Sequence, residues 1–585
     1  MSAGFRLWLI WLLAAVVTVF VTLQLTSASY FQGQFLPVGQ DAFYHARRIL
    51  DAVSTGHVYQ YDAMMQVPEG GWITWPWAYD AAMAATVRAI MHLLPGSDPV
   101  AVLMHLPPLL SLVALAFLAG ICLELRLSAA LAATVAFCFA LSAYTEYQFG
   151  VGSLDHHGAE QVATLGALWL GLRWFSRPES GARGCLLGLW FGLVLGVHTG
   201  LFMLQIPLLA AVAISWWRGT LKVTFRAACW FAAGLLLGSL LILAPAQTFW
   251  SARFDVYYLS GLQLYVSVCT IFVMLYVSRS PCTPRSLWRL LVLCALLSLP
   301  LLSAVGFSRG FLSGKLATIS GIDEIRSPFA IARDAGGLRR ISQIYTLLIW
   351  IMPLAWIASV VMAWRSRETH RLYFWTACTF GLSLLPLQLR MASFGVFYLY
   401  LPLVVLAAIA MEKWTKARTA VMVGLVGALC LAYFPTVRYQ LFGPNLPAGE
   451  SQFATLQPIL PALREACAHD PGVVLAEPGD GHMIRYFTEC AVIANNFRLT
   501  PIDVAKVTEA TELIGLPIEQ LRLRAPNVKY VVARLVSPVE TADPVLFEQL
   551  LQSDHLPEGV EPLVQLTVTH EDGRAERFLG AYRLH

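Results

Sequence analysis

The stretch "VGSLDHHGAEQVATLGALWL" sets an acid and two histidines, Asp155, His156 and His157, directly before an apolar helical run. A carboxylate and an imidazole at i and i+2 can share a divalent cation. Mg²⁺ and Mn²⁺ prefer oxygen ligands and tolerate a histidine. Asp41, Glu324 and Arg390 also stand near the ends of apolar segments. Ionisable groups at membrane depth are expensive and are functional candidates by default. Three carboxylates gathered without a cation repel one another, and their pKa values rise; a metal removes that cost. An arginine fork matches a phosphate. Cation plus arginine at a membrane surface would clamp a lipid-linked phosphate or diphosphate leaving group. Taken singly, each residue has a plainer reading. Asp41 and Asp155 could cap helices, the histidines could sit at the interface, Glu324 could be solvated, and Arg390 could snorkel. What distinguishes them is a common side, and the spans decide that.

The chain has 585 residues, of which 57% are hydrophobic and 13% charged, a composition outside the soluble globular range. Apolar runs of membrane-spanning length recur from Phe5 to Tyr433. They fall near 5–25, 100–125, 128–148, 160–176, 184–199, 200–217, 225–246, 258–278, 287–305, 342–364, 371–388, 394–411 and 418–434, about thirteen in all. The first lacks a small-residue cleavage site and reads as a retained anchor. Alternate loops hold Arg126; Arg173, Arg177 and Arg183; Arg218, Lys222 and Arg226; Arg279, Arg285 and Arg289; Arg365, Arg367 and Arg371; and Lys413, Lys416 and Arg418. The positive-inside rule makes these loops cytoplasmic. The N-terminus is then inside. An odd span count puts residues 435–585 outside, after a membrane domain over 1–434.

The expected architecture is a polytopic α-helical membrane protein with a C-terminal extracytoplasmic α/β domain. Two outer loops, 26–99 and 306–341, exceed what a connection requires. The first carries "GQDAFYHARRILDAV", an amphipathic helix, and tryptophans that suit the membrane interface. Asp41, Asp155, His156, His157, Glu324 and Arg390 all fall on the outer side. Simple turn geometry points His156 away from the other candidates. His105 and His198 lie within spans and read as satisfied core histidines. A transporter is disfavoured because no internal repeat is visible. A net charge of +4, scattered along the chain, points away from nucleic acid.

These residues resemble the catalytic subunit of oligosaccharyltransferases, in particular the archaeal and bacterial single-subunit forms within the family-C integral membrane glycosyltransferases. "GQDAFYHARR" is similar to that family's first acidic motif, with Asp41 in the key position. "GSLDHHGAE" resembles the second motif in its archaeal form, with Asp155 and His157. "GIDEIRSP" resembles the TIxE/SVSE motif, with Glu324, and "WPWAYD" the Trp-Pro-rich stretch before the family's second span. "LRMASFGVFYLYLPLVVLAAIAM" is similar to the segment carrying the diphosphate-binding arginine, here Arg390. The resemblance implies Mg²⁺ or Mn²⁺ held by Asp41, Asp155, His157 and Glu324. Asp41 and Glu324 would also act on the acceptor, and Arg390 and His482 would bind the donor diphosphate. It further implies inverting transfer of a glycan from a lipid-linked polyprenyl diphosphate to an acceptor, protein first. A lipid, a polysaccharide or a protein hydroxyl is the alternative. The location implied is the plasma (inner) membrane, multi-pass.

One departure stands out. Where the family carries "WWDYG", this chain reads "AEPGDGHMIRYFT": Glu477, Pro478, Gly479, Asp480 and Gly481 replace the core, and both tryptophans are missing. Asp480 is the acid left to touch the acceptor. In the same domain, "FATLQPILPALREACAHD" and "DPVLFEQLLQS" have helical periodicity, whereas "GVVLAEP", "VKYVVARLV" and "LVQLTVTH" read as strands. Cys467 and Cys490 could pair or remain free thiols.

Overall fold

The computed structural model describes residues 3–24, 26–302, 323–442, 452–535, 544–553, 555–569 and 575–585. A helix coincides with each predicted span. Eight are long and apolar enough to cross a bilayer, among them Pro99–Glu124, Leu348–Arg365 and Leu389–Lys413. Ala129–Ala140 and Ala143–Phe149 meet at a 57° bend and together would make a ninth. Trp8–Leu23 and Gly181–Gly196 are apolar but shorter. Length and apolarity among the described residues thus support fewer spans than the thirteen expected. The reasons are local. The helix Thr369–Leu384 has 16 residues, and the helix His157–Phe175 spends its first two turns on Glu160, Gln161 and Thr164.

The first long loop, 26–99, is built rather than slack. Helix α1 (Gln40–Thr55) follows Gly39, whose φ of +97° favours glycine, and buries Phe43, Tyr44, His45, Arg48 and Ile49. Helix α2 (Trp77–Leu93) packs beside it. Helix α3 (His157–Phe175) is buried along almost its whole length at the centre of the bundle. The turn before it depends on Gly152 (φ +81°), where a Cβ would meet the Leu36 carbonyl at 2.7 Å. Of the second long loop, 306–322 lies outside the described residues. The rest forms a turn at Asp323–Ile325 and short helices at Pro328–Ile331 and Gly337–Tyr345.

The last apolar helix, Arg418–Phe442, runs past position 435. Beyond it lies a five-stranded sheet of β1 (Val473–Leu475), β2 (Ala491–Val492), β3 (Val528–Arg534), β4 (Val560–Thr569) and β5 (Ala575–Leu584), in the order β2-β1-β3-β5-β4. β1 pairs in parallel with β2 and β3; β5 pairs antiparallel with β3 and β4. The period-2 alternation of β3 explains its two cores. Val531 and Ala533 join Leu513 and Phe547 on one face. Tyr530 and Val532 join Leu463 and Ile484 on the other. The second core also takes in Leu36 and Phe43 from the first long loop, so the domain sits on α1.

Cys467 and Cys490 are bonded, tying the helix Leu460–His469 to the start of β2 across a separation of 23 residues. A loop of that size restricts the unfolded chain enough to stabilise by about 3 kcal/mol. Cys467→Ser should lower the thermal midpoint of the C-terminal domain, and reductant should do the same to the native chain but not to the variant. Equal midpoints with and without reductant would refute the bond.

Candidate active site

A cavity of about 360 Å³ opens between the helical bundle and the C-terminal sheet. Asp41, Asp155, His157, Glu324 and Arg390, drawn from remote parts of the chain, all line it. Asp41 arrives in the first turn of α1 and Asp155 and His157 at the start of α3. Glu324 and Arg390 occupy two short turns, Asp323–Ile325 and Leu389–Met391. The Leu389 N–H donates to the Arg326 carbonyl (2.9 Å) and the Ser327 hydroxyl to Pro386 (2.7 Å), stitching those turns together.

The carboxylates do not share one environment. His156 Nδ1 lies 2.7 Å from Asp155 Oδ1, and His157 Nε2 lies 3.4 Å from Oδ2. Burial works against the Asp155 charge, yet these two imidazoles hold its pKa well below the usual carboxylate range. Asp41 has no such partners. Burial, then the charges of Asp155 and Glu324, push its pKa up to about 7, against an opposing hydrogen bond from Asn496. Its Oδ1 accepts no hydrogen bond among the described residues.

His157 is oriented from behind: its Nδ1 meets Glu160 Oε2 at 2.8 Å, one helical turn along, which leaves Nε2 facing the cavity side of Asp155. The expectation for His156 is corrected. Its ring does not point away but stacks on His198 (5.1 Å, 6°) and lies 4.7 Å from His157. His156 takes the N-cap position of α3 in helical conformation, which turns its side chain inward. His198, expected as a satisfied core histidine, lines the cavity instead; its Nδ1 accepts from the Gly200 N–H (3.2 Å) and lies 3.5 Å from Glu160 Oε1. His105 is satisfied, its Nδ1 2.7 Å from the Ala101 carbonyl. Two groups among the described residues bring ligand atoms within 4.8 Å of one another: His45, Asp155 and His156, and His156, Glu160 and His198.

A buried ion cluster props up α1. His45 Nδ1 and an Arg48 Nη1 reach the two oxygens of Asp80 on α2 at 2.7 and 3.0 Å. Trp75, expected at the membrane interface, is instead drawn inside, stacked on His45 (4.3 Å) and edge-on to Phe497 (4.6 Å). "GQDAFYHARR" and "WPWAYD" are thus one structural unit. The His45–Asp80 link had no spacing signal, because 35 residues and a two-strand ladder separate the partners.

The C-terminal domain contributes His482 from the short helix Gly481–Phe487, which packs on α1. His482 is fully buried, with Nε2 3.8 Å from Asp41 Oδ1, beside Tyr44 and Phe497. Burial lowers its pKa to about 3, so the ring is neutral. Asp480 is elsewhere. It is buried away from the cavity lining, 3.3 Å from Arg534, which also pairs with Glu477.

No family model matches the sequence, and no curated protein does. Solved structures do. Oligosaccharyltransferase AglB from Archaeoglobus fulgidus, in complex with an inhibitory peptide and a dolichol-phosphate, superimposes with a TM-score of 0.76 at 16% identity, over 91% of this chain and 69% of that one. The A. fulgidus enzyme tethered to an acceptor peptide containing an NVT sequon gives 0.73 at 16% identity, over 90% and 69%. Its complex with Zn and sulfate gives 0.69 at 15% identity, over 97% and 73%. The fold is that of an archaeal oligosaccharyltransferase. The resemblance read from the motifs is therefore borne out at the level of the fold, and within it their residues gather at one cavity.

Removing Asp80 takes the ion-pair partner from the buried Arg48, which keeps only its hydrogen bonds to the Tyr59 and Trp75 carbonyls. Asp80→Ala should cost about 3–5 kcal/mol and lower the thermal midpoint of the purified protein; a loss below about 1 kcal/mol would mean the cluster carries no load. In the C-terminal domain, burial raises the Asp480 pKa to about 7, with Glu477 adding to the rise and Arg534 opposing it. The folded chain then holds that proton more tightly than the unfolded chain, whose Asp titrates near about 4. Stability should accordingly fall as pH rises from about 4 to about 7. Asp480→Asn should flatten that segment of a melting-temperature profile.

Proposed function

We propose that this protein is a membrane oligosaccharyltransferase that transfers a glycan from a polyprenyl-diphosphate donor to an acceptor, protein being the first candidate. The observation that carries this reading is the convergence of Asp41, Asp155, His157, Glu324 and Arg390 on one cavity in an oligosaccharyltransferase fold. The solved relatives in complex with a dolichol-phosphate and with a sequon peptide support the donor and acceptor classes.

The donor set suits a divalent cation. Asp41 Oδ1 accepts no hydrogen bond among the described residues, burial and then the neighbouring carboxylates raise its proton affinity, and His157 presents a nitrogen fixed by Glu160. Asp41, Asp155, His157 and Glu324 would hold Mg²⁺ or Mn²⁺. When bound, the ion supplies positive charge to the departing diphosphate. Arg390 binds the diphosphate through its fork. His482, expected at the donor phosphate, is fully buried and does not line the cavity, so its place is behind Asp41 rather than against the donor. Asp41 and Glu324 orient the acceptor nucleophile opposite the leaving group, which yields inversion in one displacement. No covalent enzyme intermediate is required.

The same reading sets the topology: about thirteen spans, the N-terminus cytoplasmic and the C-terminal domain outside. The Cys467–Cys490 bond supports an oxidising compartment for that domain. Asp480 belongs on the acceptor side in this scheme. Its pairing with Arg534 favours, as a second reading, an acceptor other than the Asn-X-Ser/Thr sequon.

Purified full-length protein, lipid-linked glycan and acceptor peptides test the proposal. Asp155→Ala should reduce transfer by about 100-fold or more at normal expression, since ligand-shell losses alone cost 10–100-fold. Undiminished transfer by that variant would overturn the site assignment. Transfer to peptides lacking the sequon asparagine would replace the first acceptor reading with the second.

A further inference from the structure

A larger cavity, about 790 Å³, lies at the opposite end of the bundle from the candidate active site. Helix α3 connects the two: His157 lines the first cavity, and Ser176 and Arg177, just past its last turn, line the second. Its 19 residues span about 28 Å, close to the hydrocarbon thickness of about 30 Å. The second cavity is therefore at the other membrane surface. Exposed tryptophans at the same end, Trp217, Trp364 and Trp414, mark that surface as the headgroup layer.

The cavity wall has two chemistries. Arg126, Arg177, Arg183, Arg365, Arg367 and Arg371 come to it from three separate loops. Three glutamates, Glu124, Glu368 and Glu412, also line it, so arginine outnumbers acid six to three. Arg371 is paired with Glu368 at 3.0 Å, and Arg183 donates to the Arg173 carbonyl at 2.6 Å. The side chains of Arg126, Arg177, Arg365 and Arg367 make no hydrogen bond or ion pair with the described residues. The inner wall is apolar, with Val405, Ala408, Ile409 and Met362. Free guanidinium groups over an apolar wall at headgroup depth match a phosphate ester that carries acyl chains.

We propose that this cavity binds the headgroup of an anionic phospholipid, on the membrane face opposite the catalytic cavity. The positive-inside bias accounts for arginines in these loops one by one. It does not account for their meeting around a single cavity with an apolar back. A free inorganic phosphate would use the same guanidinium groups but gain nothing from the apolar wall.

Delipidated full-length protein in detergent, titrated with phosphatidylglycerol, with phosphatidylcholine of the same acyl chains, and with inorganic phosphate, tests this by native mass spectrometry and thermal shift. Phosphatidylglycerol should bind at least about tenfold more tightly than phosphatidylcholine, given the contribution of each basic residue near an anionic headgroup. Arg177→Gln with Arg367→Gln should weaken phosphatidylglycerol on the order of tenfold, with the lipid-free melting temperature unchanged. Arg226→Gln with Arg285→Gln, charges in neighbouring basic loops but outside the cavity, should leave binding intact. Equal weakening by that control pair, no preference over phosphatidylcholine, or complete competition by inorganic phosphate at matched concentration would each overturn the proposal. The preference and competition measurements need no variant, so a folding defect cannot mask the result.

Discussion

The cavity is governed by the repulsion among Asp41, Asp155 and Glu324. Two like charges about 5 Å apart at an effective dielectric of about 20 repel by about 3 kcal/mol, a large share of a protein's net stability. The chain offsets this unevenly. Asp155 is flanked by His156 and His157 and holds its charge. Asp41 is left facing both other carboxylates, with Asn496 as its modest compensation. A cation entering the cavity would therefore gain most from Asp41, the member whose charge the protein alone does not support. The asymmetry distinguishes the two carboxylates: the imidazoles lower the Asp155 pKa, whereas burial and the neighbouring carboxylates raise that of Asp41.

Holding such a set requires rigid support, and the support is largely polar and buried. The Asp80 cluster fixes α1 through His45 and Arg48. On its other side, Phe43 stacks on Phe453 and meets Tyr486 and Phe487 of the C-terminal domain. Arg47 continues the seam by pairing with Glu489. Asp41 is consequently positioned by the membrane part and the sheet domain together. Displacement of either would move the same carboxylate.

Much of this was legible in the sequence, because period and position carry it. Apolar runs marked the helices, strand alternation marked β1, β3 and β4, and the outer ends of the runs marked Asp41, Asp155, His157, Glu324 and Arg390. Pairings across distance were not legible. His45 with Asp80, and His198 with Glu160, depend on how loops fold back, which no local spacing encodes. Trp75 shows the same limit: composition placed it at the membrane surface, but stacking on His45 buries it. His156 was misjudged because a generic turn was assumed where the residue already adopts helical angles, φ −65° and ψ −7°. Glu160 had a usable signal, its i+3 position from His157 on one helix face.

Asp480, proposed for the acceptor side, sits in a buried charged group away from the cavity lining. Glu477 and Arg534 form a buried pair, and Asp480 is the second carboxylate against a single guanidinium. Burial is the main cause of its raised pKa, with Arg534 opposing and Glu477 adding to the rise. The 3.3 Å contact with Arg534 is an ion pair without hydrogen-bond geometry, and neither Asp480 oxygen accepts a hydrogen bond among the described residues. Arg534 donates through Nε and Nη2 to the one oxygen Glu477 Oε2, while Glu477 Oε1 accepts no hydrogen bond among the described residues. The environment of Asp480 is thus set by the Arg534–Glu477 pair as well as by its own burial.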